Sequence, residues 1–196
     1  MTDEILSFLQ EALRLKRMVR SGWIYSGVSK ADTESVADHS YMITLLTLIL
    51  AIKEKEKGND IDIEKTLVMA ILHDLPESVS QDLDRRIRKY SPKKYDEFKT
   101  DLDTEAIKHL FNKLPGKTSD YLLEIFQEFH AKKSLEARIV MEADRLETIL
   151  QMNDYIQRGY PRELFSEFIK NFSEEVDAYT NKHVKNIARY LLEGTK

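Results

Sequence analysis

The sequence predicts an all-α protein, a compact helical bundle of about seven to nine helices, and three observations carry that reading. Apolar residues recur at i, i+3, i+4 spacing through nearly every segment, the signature of a helix with one buried face. No stretch sustains the two-residue alternation of a half-buried strand. Only six glycines and four prolines punctuate 196 residues, so the chain breaks in few places.

Ile5, Phe8, Leu9, Ala12, Leu13 and Leu15 form one apolar stripe opposite Glu11, Arg14 and Lys16, which predicts a first helix ending near Ser21-Gly22. Ser35-x-x-Asp38 has the form of a capping box and opens a long helix that Gly58-Asn59-Asp60 stops near Lys57. Asp62 is placed to cap the next helix, which carries His73 and Asp74 near its end, before Pro76 disfavours a helical Leu75. Ser91-Pro92 reads as an N-cap followed by proline at the first helical position, and Leu114-Pro115-Gly116 ends that helix. Thr118 begins another. Ser134 caps a long helix through about Gln157, Gly159-Tyr160-Pro161 breaks it, and one or two amphipathic helices finish the chain. With no repeat or linker, residues 1–196 are expected to be one domain, large enough for a single buried core.

Cysteine is absent, so any metal must be held by nitrogen and oxygen, and no disulfide framework exists. Thirty basic against 34 acidic residues leave a net charge of −4, which argues against binding a nucleic acid polymer through a broad basic face. Arg85-Arg86-Ile87-Arg88-Lys89 reads as a solvated helix face, with phosphate contact as the alternative. The N-terminus lacks the basic-then-apolar order of a secretion signal. The longest apolar run, Ile43 to Ile52, is far shorter than the roughly 20 residues that span a bilayer, so a cytoplasmic protein away from the membrane is expected.

Chemistry concentrates at His73-Asp74, set in Leu67-Val68-Met69-Ala70-Ile71-Leu72-His73-Asp74-Leu75-Pro76-Glu77. Adjacent helix positions lie about 100° apart, so an imidazole and a carboxylate there converge only on something held between their faces. A divalent cation meets that requirement. His39, in Ser35-Val36-Ala37-Asp38-His39, and Asp144, in Val140-Met141-Glu142-Ala143-Asp144-Arg145-Leu146-Glu147, complete two imidazoles and two carboxylates, a set suited to Mn, Fe, Co, Ni or Zn. Asp74 and Asp144 both stand at core spacing, where an isolated carboxylate is costly to desolvate unless paired or metal-bound. Glu77 follows four residues after His73 and is placed to orient water or relay its proton, or else to cap the following helix. His109, His130 and His183 read as ordinary hydrogen-bonded core histidines.

His39, His73-Asp74 and Asp144 resemble, in order and spacing, the H…HD…D signature of the HD-domain metal-dependent phosphohydrolases. Leu15-Lys16-Arg17-Met18, Gly22-Trp23, Glu34-Ser35-Val36-Ala37-Asp38-His39-Ser40, His73-Asp74-Leu75-Pro76-Glu77 and Asp144-Arg145-Leu146-Glu147 resemble the branch of bacterial and eukaryotic 5′-deoxynucleotidases, over about residues 5 to 160, with helices after 161 expected to pack on that core. The resemblance implies a helical, commonly dimeric hydrolase that converts deoxyribonucleoside 5′-monophosphates to deoxynucleoside and phosphate. It implies one divalent ion on His39, His73, Asp74 and Asp144, with Glu77 handling the water's proton. Asp82 matches a family aspartate near the sugar, and Trp23 a tryptophan near the deoxyribose, which has an ordinary reading as an aromatic plug. Two positions depart from the pattern. Bacterial members place arginine before that tryptophan where this chain has Gly22, leaving Arg20 as the candidate for the phosphate, and a glycine common before the aspartate is here Gln81.

Two other readings stay open: an HD-domain phosphohydrolase acting on another phosphate ester, and a non-catalytic nucleotide-binding helical dimer with a structural metal. A dinuclear oxygenase fits less well, because no second ligand cluster accompanies His109 or His130.

Overall fold

The computed structural model describes residues 2–194. In chain order it contains α1 (Thr2–Ala12), α2 (Ser21–Ser26), α3 (Val36–Glu56), α4 (Ile63–Leu72), α5 (Glu77–Ser80), α6 (Pro92–Phe111), α7 (Gly116–Ala131), α8 (Leu135–Gln157), α9 (Ser166–Glu175) and α10 (Lys182–Glu193), with 3-10 turns at Leu13–Lys16, Arg85–Tyr90, Arg162–Phe165 and Val176–Ala178. Eight of these helices have ten residues or more. The two short ones, α2 and α5, both border the site. Among the described residues the only β pairing is an isolated bridge between Val19 and Ser35.

Most boundaries follow from capping chemistry. The Ser35 hydroxyl accepts from Asp38 N–H while the Asp38 carboxylate accepts from Ser35 N–H, the reciprocal arrangement that satisfies two orphan donors. Asp62 and Ser134 accept from Lys65 N–H and Ala137 N–H at the starts of α4 and α8. Pro92 occupies the first position of α6, though Ser91 makes no side-chain cap bond. α7 begins at Gly116, two residues before Thr118.

The first helix ends earlier than its apolar stripe implies. α1 stops at Ala12 and tightens into a 3-10 turn through Lys16. The next residues then spend their backbone groups on the approach to α3: Arg20 N–H donates to Glu34 O, and Val36 N–H to Met18 O. Those bonds hold residues 18–20 extended, so Ser21-Gly22 opens α2 instead of ending α1. No α1 residue is fully buried.

α3 packs against α4 and α8 at the centre of the fold. One apolar cluster gathers Ile43, Leu50, Met69, Ala70, Val140, Leu146, Ile149 and Met152. A second gathers Val36, Leu72, Leu75, Ile107, Leu110, Phe111 and Phe126. His39 lies between Val36 and Ile43 on α3, and His73 between Ala70 and Leu75, so both histidines stand where the two clusters meet. α3 is also long and apolar enough, by length and composition, to cross a membrane. Here its inner face holds the buried His39 and Glu54, while Tyr41, Met42, Leu45, Ile49 and Ile52 are exposed.

Candidate metal centre and substrate cavity

α3 contributes His39 one turn in from its cap, and α8 grips both nitrogens of that imidazole from a single helix face. Glu147 Oε2 lies 2.5 Å from Nδ1, and Asp144 Oδ1 lies 3.3 Å from Nε2. The i, i+3 spacing of Asp144 and Glu147 makes this possible, since residues so spaced are neighbours on a helix. His73 closes α4 as its C-cap residue, and its Nδ1 lies 2.7 Å from the carbonyl of Ala70. A carbonyl only accepts, so Nδ1 donates here, and Nε2 is the nitrogen left to face the cavity side. Both Nε2 atoms are buried without a hydrogen-bond partner.

Asp74 follows in the turn between α4 and α5. Its Oδ2 lies 3.2 Å from His73 Nε2 and 3.6 Å from His39 Nε2. Ligands about 2.1 Å from a cation, at right or tetrahedral angles, stand roughly 3.0–3.4 Å apart. The donor set therefore fits a divalent cation: two imidazole nitrogens without a hydrogen-bond partner and two carboxylates at coordination-edge spacing. His39, His73 and Asp74 form one mutually close group of ligand atoms, and Asp144 joins through His39. The electrostatics agree. Burial and the charge of Arg20 both oppose protonation of His39, yet Asp144 and Glu147 push it up to about 10, so the surroundings draw positive charge to this point. Against burial, His73 and Arg20 hold Asp74 well below the usual carboxylate range.

A second group of ligand-type atoms, Glu34, His39 and Glu147, is already satisfied internally. Trp23 Nε1–H donates to Glu34 at 2.7 Å, His39 Nδ1 engages Glu147, and Tyr155 OH accepts from Glu34 N–H at 2.9 Å. Burial, and then the charge of Glu147, raises Glu34 to about 7.

Glu77 opens α5 and is 4 % exposed. Lys99 Nζ, from α6, lies 3.4 Å from Glu77 Oε1 and 2.7 Å from Asp103, while Glu77 Oε2 has no partner. Burial, followed by the charges of Asp74 and Asp82, pushes Glu77 well above the usual range, with Lys99 opposing. Arg20 donates to Asp74 Oδ2 at 3.1 Å, and Asp82 Oδ2 accepts from Ser21 N–H at 2.5 Å. Trp23 is 1 % exposed.

Arg20, Trp23, Asp74, Glu77, Asp82 and Asp144 all line one cavity of about 460 Å³, within the range of small-molecule sites. The other ligand candidates, His39 and His73, lie behind its floor. The basic run Arg85–Lys89 forms part of the rim, where Arg86 is tied to Asp84 and Arg88 to Asp96. The remaining histidines stay away from the site, and only His130 faces inward, against Phe126 and Phe129. His109 pairs with Glu11 at the surface and His183 is exposed, because their helices turn those faces outward.

Sequence reasoning gave no role to Glu147, Glu34, Lys99 or α9. The spacing of Glu147 from Asp144 on an apolar helix was the available signal for the first. For α9, which supplies Glu167, Phe168, Asn171 and Phe172 to the cavity wall, no motif exists.

The family profile of the HD domain matches residues 12–187. The chain belongs to the HD-domain family. Among curated relatives, this HD-domain protein is 32 % identical over 160 residues to the 5′-deoxynucleotidase HDDC2 of Dictyostelium discoideum, an alignment covering 81 % of this chain and 80 % of that one. It is 30 % identical over 151 residues to the 5′-deoxynucleotidase HDDC2 of Homo sapiens, covering 77 % and 68 %. Among solved structures, a conserved hypothetical protein from Pyrococcus furiosus superposes with a TM-score of 0.72 at 33 % identity, covering 94 % of this chain and 99 % of that one.

Proposed function

We propose that this protein is a metal-dependent 5′-deoxynucleotidase, hydrolysing deoxyribonucleoside 5′-monophosphates to deoxynucleoside and phosphate, with His39, His73, Asp74 and Asp144 holding one divalent first-row transition metal ion. The observation that carries the reading is the pair of buried imidazoles whose Nδ1 atoms are both engaged and whose unpartnered Nε2 atoms meet Asp74 and Asp144 at the floor of a ligand-sized cavity. The relatives named 5′-deoxynucleotidases support the substrate class.

A divalent cation bound there supplies Lewis-acid charge to the phosphoryl group and acidifies a water. Glu77 takes the proton of the attacking water at Oε2, the oxygen that no protein group occupies, while Lys99 fixes Oε1. The new phosphorus–oxygen bond forms as the bond to the 5′-oxygen breaks, and the proton on Glu77 is available to that leaving oxygen. Arg20 offsets phosphate charge through charge-assisted hydrogen bonds. Asp82 receives the sugar 3′-hydroxyl, and Trp23 backs the wall that crowds the 2′ position.

We assign the exposed side of α3 to a second copy of the chain and read the whole sequence as one domain. Tyr41, Leu45, Ile49 and Ile52 are 69 %, 40 %, 50 % and 40 % exposed along a helix that spans roughly 30 Å. A straight apolar ridge of this kind is self-complementary about a two-fold axis.

The direct test is phosphate release from every deoxy- and ribonucleoside monophosphate by purified protein loaded in turn with Mn, Fe, Co, Ni and Zn. Metal-dependent release that favours deoxynucleotides supports the reading. Release from ribonucleotides at equal kcat/KM removes the sugar assignment, and no release from any nucleotide removes the function.

A further inference from the structure

We propose that α9 supplies the aromatic surface on which the substrate's nucleobase stacks, and that Phe168 is the residue that provides it. The inference rests on the deoxynucleotidase reading and extends it to a part of the substrate that none of the motif residues touches.

Trp23 has no face left to offer. It is 1 % exposed, its Nε1–H is spent on Glu34, and Tyr155 and Phe165 pack edge-on against it with ring centroids 5.3 and 5.9 Å away. Its remaining side is covered by Phe168, stacked at 4.8 Å with 28° between the planes. Trp23 is thus the back of the wall and Phe168 the front. Phe168 is partly exposed and lines the same cavity as Arg20, Asp74 and Glu77. Phe172, one turn further along α9, stacks with it at 6.1 Å, also lines the cavity, and carries the guanidinium of Arg145 5.9 Å from its ring centre. α9 approaches α2 this closely because residue 22 is glycine, where a Cβ would meet Phe168 Cζ at 3.3 Å. Gly22 is therefore the position against which the aromatic ring rests.

The order of groups along α2 gives the direction in which a nucleotide lies. Arg20, at the N-cap, touches Asp74 and marks the phosphate end. Ser21 next to it holds Asp82, and Trp23 with its Phe168 cover follows about 5 Å along the helix axis. With phosphate at Arg20 and sugar at Asp82, the base extends toward Phe168. Every base has a π face, so stacking there adds affinity without strong choice among bases.

The test compares unmodified protein with Phe168→Ala, Phe168→Leu and Phe168→Tyr, each metal-loaded, measuring KM for a deoxynucleoside monophosphate, the inhibition constant of inorganic phosphate, and bound metal. Phe168→Ala and Phe168→Leu should raise KM about tenfold or more, the scale of one lost base–aromatic stack, while phosphate inhibition stays within about twofold and metal content is unchanged. Phe168→Tyr should keep the normal KM. If Phe168→Ala fails to fold, the Leu and Tyr pair decides. Equal weakening of nucleotide and inorganic phosphate, or an unchanged KM in Phe168→Leu, overturns the proposal while leaving the deoxynucleotidase reading intact. Absence of nucleotide hydrolysis by the unmodified protein would strike that reading first.

Discussion

Glu77 is held by Lys99 on one oxygen and by nothing on the other. Replacing it with glutamine keeps its shape and removes its capacity to take a proton. Glu77→Gln should therefore retain bound metal and lower kcat by roughly 10²- to 10⁴-fold, the usual loss for an acid–base group. Metal loss in step with activity would instead make Glu77 a ligand. Glu147 acts one atom further back, fixing which nitrogen of His39 carries the proton. Glu147→Gln should weaken metal affinity about 10- to 100-fold, as other changes behind a metal-ligating histidine do, measurable by calorimetric titration of the metal-free protein with Mn²⁺. The proposed ligands could be singled out from the sequence because polar groups among apolar neighbours demand a reason. Glu147 was not, because its role depends on which imidazole α8 turns toward it.

The turn after α5 shows where an element keeps a record that composition conceals. Gln81 adopts φ 72°, ψ 157°, a region nearly reserved for glycine and costing about 1–3 kcal/mol for other residues. The resemblance noted in the sequence expects glycine at this position, although glutamine itself gave no sign of an unusual backbone. Gln81→Gly should raise Tm by a few degrees, the shift expected for about 1 kcal/mol in a chain of this size, and a lower Tm would mean the glutamine side chain compensates. On α7, burial, aided by Lys132 and Lys99, depresses His130 to about 4. The unfolded chain, with an ordinary histidine near 6.5, then binds more protons than the folded one between those values. Stability is accordingly lost as pH falls from about 6.5 to 4. His130→Gln should lose less stability than the unmodified protein between pH 7 and pH 4.5 in urea unfolding, and identical losses would remove this histidine from the acid response. Helix starts at Ser35, Asp62 and Ser134 followed directly from capping residues. The early end of α1 did not, since it is set by backbone bonds to residues 34–36, which no local pattern encodes.

Across the whole molecule, the all-helical class followed from periodicity, whereas the enclosure of the cavity did not. Residues after 161 read only as amphipathic helices, yet α9 forms the far wall, brought there by packing against α2 and by the 3-10 turn holding the buried Phe165. The exposed ridge of α3 predicts the assembly: Leu45→Glu with Ile49→Glu should halve the mass measured by light scattering, and an unmodified protein that is already monomeric would contradict the interface. The central claim, one cation shared by residues from α3, the α4–α5 turn and α8, is met most directly by anomalous diffraction from crystals grown with Mn²⁺. A single strong peak is expected about 2.0–2.3 Å from His39 Nε2, His73 Nε2, Asp74 and Asp144, the distance of a directly bound ligand. A structure with no peak there, or with the ion lodged instead among Glu34, His39 Nδ1 and Glu147, would contradict it.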